Sequence, residues 1–145
     1  MSADTRWVSG GCLCGKVAYE LEPPFQAFRY CHCRRCRKAT GTAHAANIFV
    51  SPAQLRWLSG EDATVRYDLP EAERFATCFC KTCGSPVPRL IGDGSRVLVP
   101  AGSLDDDPGA LPDCSIFWES RAPWYRETQE LPKHSEYRPV ESTIG

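Results

Sequence analysis

Short runs in which hydrophobic and polar residues alternate cover much of this chain, a pattern typical of half-buried β-strands. Val17, Tyr19 and Leu21 would share one face of such a strand, which Pro23 and Pro24 end. Further strands are predicted over residues 25–30, 43–50, 64–69, 74–79, 86–91, 96–99 and 114–118. Because no long 3.6-residue periodicity occurs, the chain is predicted to be mainly β, with antiparallel sheets.

The connections between these runs contain residues that short turns require. Ser51 followed by Pro52 is typical of a helix start and predicts a short helical turn over residues 51–55. Residues 92–95, Gly-Asp-Gly-Ser, predict a hairpin-like turn. A chain of 145 residues suits one domain, 1–145, in which the polar residues 132–145 are predicted to form a tail.

Charge and hydropathy restrict the classes of partner and the location. The chain has 17 basic and 18 acidic residues, which argues against a binder of nucleic acid or another polyanion over its whole surface. No apolar run approaches the roughly 20 residues of a membrane span. Residues 1–6 are polar and no apolar segment follows them, so we expect no signal peptide and a cytoplasmic location.

Nine cysteines are many for a chain of this length. The odd count and the expected absence of export disfavour a framework of disulfides. Cysteines one or two residues apart suit a metal ion held by a tight turn better than they suit pairwise disulfides. Three cysteine clusters have this spacing, at residues 11–15, 31–36 and 78–84.

The two outer clusters together predict a closed metal site. Cys80 and Cys83, followed by Gly84, form a Cys-x-x-Cys turn, and Cys12 with Cys14 offers a second pair. A glycine after such a turn lets the chain reverse and brings backbone N–H groups near the sulfurs. Two pairs from distant parts of the chain would give the four thiolate ligands of a structural zinc.

The middle cluster supplies Cys31, Cys33 and Cys36 but no fourth local cysteine. A metal with three protein ligands and an open position has the geometry of a reactive site. The alternative is a second structural site completed by another protein ligand. The candidates for that ligand are His32, His44, Cys78 and Cys114.

The three clusters, in this order, resemble the glutathione-dependent formaldehyde-activating enzyme family, which also includes centromere protein V. Residues 101–106 and 120–125 resemble that family too, and the similarity covers about residues 8–131. The resemblance implies a mainly β, Mss4-like fold with two zinc ions per chain. It implies a structural zinc at Cys12, Cys14, Cys80 and Cys83 and a second zinc at Cys31, Cys33 and Cys36.

Two cysteines depart from the family pattern. Cys114 stands where relatives often have histidine, and Cys78 precedes the usual Cys-x-x-Cys pair by two residues. We expect both to be small, buried apolar residues. The alternative is that one of them approaches the second zinc and closes it.

The resemblance implies a carbon–sulfur lyase reaction between a glutathione-like thiol and a formaldehyde-like aldehyde. A zinc with three thiolate ligands would lower the pKa of an incoming thiol and hold it as a nucleophilic thiolate. His32 is a candidate proton source, although a position facing away from the site is the alternative. Candidate substrate-binding residues are Arg34 and Arg35, which suit carboxylates, Thr40 and Gly41 at the pocket floor, and Trp124 as a cover.

Two other functions compete with the enzyme. A zinc-stabilised binding module without turnover would use the basic residues Arg34, Arg35, Arg37 and Lys38 to bind an acidic partner or nucleic acid, although the near-neutral net charge argues against nucleic acid. A redox pair at Cys80 and Cys83 is weaker, because no thioredoxin-like βαβ pattern surrounds it. The sequence does not determine the oligomeric state.

Overall fold

The computed structural model describes residues 6–139, in which ten strands form three sheets. The strands are β1 (Val8–Gly11), β2 (Ala18–Leu21), β3 (Ala27–Cys31), β4 (Ala45–Val50), β5 (Leu55–Ser59), β6 (Thr64–Asp68), β7 (Ala76–Cys80), β8 (Arg89–Ile91), β9 (Arg96–Pro100) and β10 (Cys114–Ile116). The α-helix of this part of the chain is α1 (Arg34–Thr40), and short 3₁₀ turns occur at Pro52–Gln54, Glu61–Ala63, Ala101–Ser103, Trp118–Ser120 and Thr128–Glu130.

The strand order is β1-β2-β5 in one sheet, β10-β3-β4-β9-β8 in the second and β6-β7 in the third. All pairs are antiparallel except β10 with β3, which is parallel. The mainly β, antiparallel fold class is therefore confirmed. Residues 92–95 join β8 to β9 as the predicted turn, with Ile91 opposite Arg96.

The main core contains alternating side chains of the two larger sheets. Tyr19 and Leu21 from β2 are fully buried against Ile48 and Val50 from β4, and Val97 and Val99 from β9 complete the cluster. Tyr19 and Leu21 share one face of β2, as the alternation in the sequence predicted. The Tyr19 hydroxyl lies 2.5 Å from Ser103 Oγ, which satisfies the buried polar group.

Two strands and the helix were not predicted. β1 has the sequence Val-Ser-Gly-Gly, which has low strand propensity. Its pairing with β2 puts Gly10 under the Tyr19 ring, where a Cβ atom would lie 2.5 Å from the ring. β5 follows the helical turn at Pro52–Gln54 directly and pairs with β2. Tertiary pairing with β2 therefore creates both strands at sequences of weak local preference.

Residues 1–5, with most of the predicted polar N-terminus, and 140–145 of the predicted tail lie outside the described residues. Residues 132–139 are exposed and belong to no strand or helix. Within the described residues, no helix has the length and apolar character needed to cross a membrane. The Mss4-like assignment and the single domain 1–145 stay predictions.

Candidate metal centres and reaction cavity

Cys12, Cys14, Cys80 and Cys83 meet as the sequence predicts. Their sulfur atoms all lie within 4.8 Å of one another. The Sγ atoms of Cys12 and Cys14 are 3.6 Å apart, and that of Cys14 is 3.9 Å from Cys80 Sγ. Cys14 and Cys80 are 66 residues apart in the sequence. The four sulfurs form a cage, which we call the four-cysteine cluster.

Turn geometry and hydrogen bonds shape the four-cysteine cluster. Gly15 and Gly84 follow the two turns with φ angles of 85° and 78°, a left-handed conformation that other residues rarely adopt. The backbone N–H of Val17 donates to Cys12 Sγ at 3.2 Å, and that of Thr82 donates to Cys80 Sγ at 3.4 Å. N–H groups aimed at sulfur stabilise thiolates, so the predicted role of the turn glycines agrees with the geometry.

Ser85 links the two halves of this cluster. Its Oγ accepts a hydrogen bond from Leu13 N at 3.0 Å and lies 3.3 Å from Cys83 Sγ. Hydrogen bonding with Ser85 lowers the pKa of Cys83 to about 5. Since Leu13 N already donates to Ser85, the hydroxyl proton is free to point at the Cys83 thiolate. Sequence reasoning missed Ser85, although the residue two positions after a Cys-x-x-Cys pair is a place to look for such a group.

Cys31, Cys33 and Cys36 form the second group, which we call the three-cysteine cluster. Cys31 ends β3, Cys33 precedes α1 and Cys36 lies in its first turn, and the three sulfurs are within 4.8 Å of one another. Cys33 Sγ caps α1 by accepting a hydrogen bond from Cys36 N at 3.3 Å. The short α1, which periodicity did not predict, forms because this cap and the strand end bring the cysteines together.

The donor sets of both clusters fit a thiophilic metal ion. In the three-cysteine cluster, the hydrogen bond from Cys36 lowers the pKa of Cys31 to about 6, whereas the contact with Cys31 and burial raise the pKa of Cys36. Thiolates so close together cannot all carry charge unless a cation lies between them. Each cluster could therefore hold a metal ion, and sulfur ligands suit zinc.

Among the described residues, no further His, Cys, Asp or Glu has a ligand atom within 4.8 Å of all three sulfurs of the three-cysteine cluster. Cys78 is half-buried near Arg66 and Arg89, and its burial raises its pKa. Cys114 is exposed on the edge strand β10 beside Asp113, so the expectation that it is buried is wrong. An outer strand with one open side leaves its thiol in solvent. All nine cysteines lie among the described residues, and each is a free thiol.

A cavity of about 830 Å³ opens beside the three-cysteine cluster. Cys36 is the cluster's member that lines it. The cavity lies between α1, β4 and the β6-β7 sheet, and one wall is apolar, with Phe75 packed against the cluster. Its charged lining residues are Arg34, Arg35, Lys38, Arg89 and Glu71. We call it the larger cavity.

The structure distributes the predicted substrate-binding residues over two adjoining cavities. Arg34, Arg35 and Thr40 line the larger cavity, where Arg34 and Arg35 are exposed. Gly41 and Trp124 instead line a smaller cavity of about 370 Å³, which Arg34 also borders. The Thr40 hydroxyl donates to the Cys36 carbonyl at 2.7 Å, and Trp124 is 65% exposed. Trp124 therefore does not cover the larger cavity.

His32 is fully buried among aromatic rings and does not line the larger cavity. Its ring centroid is 4.9 Å from that of His44, 5.1 Å from Trp118 and 5.0 Å from Tyr125. Neither ring nitrogen has a hydrogen-bond partner among the described residues. Burial and then the like charge of His44 lower the pKa of His32.

His44 reaches the larger cavity instead. Its ring stacks on Tyr30 at 4.2 Å, and its Nδ1 lies 3.2 Å from the Ala45 carbonyl oxygen. The sequence identified His44 only as a possible metal ligand. Among the described residues, His44 belongs to neither of the two groups of potential metal ligands. No local motif marks it as a cavity residue, because its position depends on the pairing of β3 with β4.

Comparison with known proteins adds a family and a fold relative. The model of a family described as glutathione-dependent formaldehyde-activating enzyme matches residues 7–120, more than three quarters of the chain. A crystal structure of a Rhodobacter sphaeroides protein, a structural genomics target, is similar with a TM-score of 0.56 and 25% sequence identity. That alignment covers 72% of this chain and 97% of the other. The comparison with curated proteins gives no match.

Proposed function

The chain belongs to the glutathione-dependent formaldehyde-activating enzyme family, and from that premise we propose that it is a zinc-dependent carbon–sulfur lyase. Its substrates would be a glutathione-like thiol and a formaldehyde-like aldehyde, and the reaction would take place in the larger cavity. One observation carries the proposal: three sulfurs without a fourth protein ligand among the described residues border an open cavity through Cys36. A closed four-ligand site could not accept a substrate sulfur.

The reaction forms or breaks one carbon–sulfur bond. In the forward direction the thiol sulfur bonds to the aldehyde carbon and the thiol proton ends on the carbonyl oxygen, which gives R–S–CH₂–OH from formaldehyde. A zinc ion held by Cys31, Cys33 and Cys36 would supply thiol activation, because it stabilises a thiolate. The protein fixes these three ligands before substrate arrives, since β3 and the capped start of α1 hold them.

Proton transfer is better served by His44 than by His32. When Nδ1 of His44 donates to the Ala45 carbonyl, Nε2 remains as an acceptor that can exchange a proton with substrate. His32 packs beside that ring and does not line the larger cavity. We therefore assign the proton-transfer role to His44 and a packing role to His32.

The cavity lining suits an anionic thiol. Arg34 and Arg35 project from α1 at its exposed side, where they can bind a carboxylate. Phe75 and Leu69 line the same space and would exclude water from the reacting sulfur. Gly41 and Trp124 would contact the distal part of a long substrate, since both border the adjoining smaller cavity.

Exchange spectroscopy at equilibrium tests the proposal, because the adduct also forms spontaneously. Mixed with ¹³C-formaldehyde and glutathione, the zinc-loaded protein should accelerate exchange between free and thiol-bound formaldehyde in NMR. Cys33→Ser is the matched control: a serine oxygen can still cap α1, but the third thiolate is lost. Equal exchange rates for the two proteins, over a panel of thiols and aldehydes, would reject the proposal.

A binding module without turnover is the second candidate, supported by the exposure of Arg34, Arg35 and Lys38 on α1. An acidic peptide or a DNA duplex would bind such a surface with an affinity that falls steeply with salt. Absence of binding at low salt would remove this candidate. We also propose that zinc is the metal of both clusters, with two ions per chain, and that the protein is cytoplasmic.

A further inference from the structure

Arg89 is a half-buried cation that no sequence motif marks. It begins β8, lines the larger cavity together with Cys36, and its guanidinium carbon lies 5.8 Å from the Phe75 ring centroid. Its Nε is buried and has no hydrogen-bond partner among the described residues, and none of the ion pairs found there involves Arg89. The Nε–H group of Arg89 has therefore lost water without gaining a hydrogen-bond acceptor.

The neighbouring Arg66, in contrast, has hydrogen-bond partners for its guanidinium. Arg66 Nε donates to Asp68 Oδ1 at 3.1 Å, and its Nη1 donates to the Leu90 carbonyl at 2.9 Å. Both arginines influence the Cys78 thiol electrostatically, so they lie in the same region. Burial is the main factor that lowers the pKa of Arg89, and the positive charge of Arg66 adds to it. Arg89 is therefore the arginine of this pair left to bind a ligand.

We propose that Arg89 binds a carboxylate of the thiol substrate inside the larger cavity and makes the enzyme selective for acidic thiols. This inference rests on the proposed function, which it deepens by naming the substrate class and a specificity residue. The fork of a guanidinium matches a carboxylate bidentately. The cavity's other charged residues favour the same ligand, because Arg34, Arg35 and Lys38 outnumber Glu71.

The position also sets the orientation of the substrate. Arg89 and Cys36 line one cavity, and they lie close enough for Cys36 to influence the Arg89 guanidinium electrostatically. A substrate whose carboxylate is bound at Arg89 would thus have its sulfur near the three-cysteine cluster. A neutral thiol would lack this anchor, and the guanidinium would remain without a partner.

A matched pair of thiols tests the inference in the zinc-loaded protein. N-acetylcysteine and N-acetylcysteine amide differ only in a carboxylate that becomes a neutral amide. Arg89→Met should raise KM for the acid about 10- to 100-fold, the loss expected for a charge-assisted hydrogen bond to a buried group. The KM for the amide and both kcat values should stay unchanged, and Arg89→Lys should give an intermediate KM.

Arg96→Met is the control variant. Arg96 lies on the adjacent strand β9 and contacts an aromatic ring, Phe49 at 4.4 Å, but it does not line the larger cavity. It should leave the KM of both thiols as in the parent protein. A rise of KM for acid and amide alike in Arg89→Met, or loss of metal from that variant, would show that Arg89 only stabilises the three-cysteine cluster and would overturn the inference.

A binding measurement separates this inference from the proposed function. S-methyl-N-acetylcysteine retains the carboxylate but cannot react at sulfur. If the parent protein binds it and Arg89→Met binds at least about tenfold more weakly, Arg89 recognises carboxylates even if no turnover is found with any thiol. If turnover is found but Arg89→Met changes neither binding nor KM, the proposed function stands and the inference about Arg89 is wrong.

Discussion

The two cysteine clusters present the same kind of ligand but differ in how the chain builds them. The four-cysteine cluster joins two turns that are 66 residues apart, and Cys80 within it is fully buried. The three-cysteine cluster takes all its ligands from six consecutive residues, Cys31 to Cys36, and borders a cavity of about 830 Å³. The first arrangement closes a long loop, whereas the second closes none.

This difference indicates a division of labour. A metal ion that links distant segments removes chain entropy from the unfolded state and acts as a cross-link. A metal ion on a local segment contributes less to the fold, because β3 and α1 are already held by backbone pairing and the Cys33 cap. The open position proposed for a substrate at the three-cysteine cluster is compatible with this smaller structural demand. Three experiments test whether the two clusters differ in this way, and they follow in order of decreasing effect.

The largest effect should come from Cys80→Ser, which removes a fully buried ligand of the four-cysteine cluster. Structural zinc sites supply roughly 10 to 16 kcal/mol of apparent binding free energy, comparable with the about 5 to 15 kcal/mol that stabilise a typical domain. The variant should therefore lose cooperative thermal unfolding, measured by circular dichroism.

Cys33→Ser is the counterpart in the three-cysteine cluster. It should unfold cooperatively near the parent temperature and contain one metal ion less by mass spectrometry. Loss of the folded state in both variants would mean that both clusters are structural, and the contrast drawn above would fail.

An intermediate effect is expected for metal removal by a chelator. The three-cysteine cluster should release its ion first, since an open position lets a chelator bind, and the circular dichroism spectrum should not change. The four-cysteine cluster should release its ion later, together with unfolding. Cys33→Ser should lack the early phase of metal release. If that phase persists in the variant, the early ion does not come from the three-cysteine cluster and the prediction is wrong.

The smallest effect should come from Ser85→Ala. The change removes the hydroxyl that bridges Leu13 N and Cys83 Sγ, so the free energy of unfolding should fall by about 0.5 to 1.5 kcal/mol, the usual net contribution of a hydrogen bond. Turnover at the three-cysteine cluster should be unaffected. Ser115→Ala, an exposed serine on β10, is the control, and an equal loss of stability there would remove the role given to Ser85.

Local pattern predicted most strands but not the elements that tertiary pairing creates. Alternation identified β2 and β6, which both pair with neighbouring strands. The seven-residue helix α1, Arg-Arg-Cys-Arg-Lys-Ala-Thr, has no apolar stripe that period analysis could detect. It forms because Cys33 caps it and because Cys36 must meet Cys31.

The local sequence was enough to predict which cysteines lie together within each turn. The spacings of Cys12 with Cys14 and of Cys80 with Cys83 force sulfurs together within a turn, and this constraint acts over two or three residues. Only the tertiary structure decided that Cys114 is exposed and that His44 and Arg89 face the same cavity as Cys36. Those facts depend on which strands pair, and contacts between residues far apart in the chain leave no local pattern in the sequence.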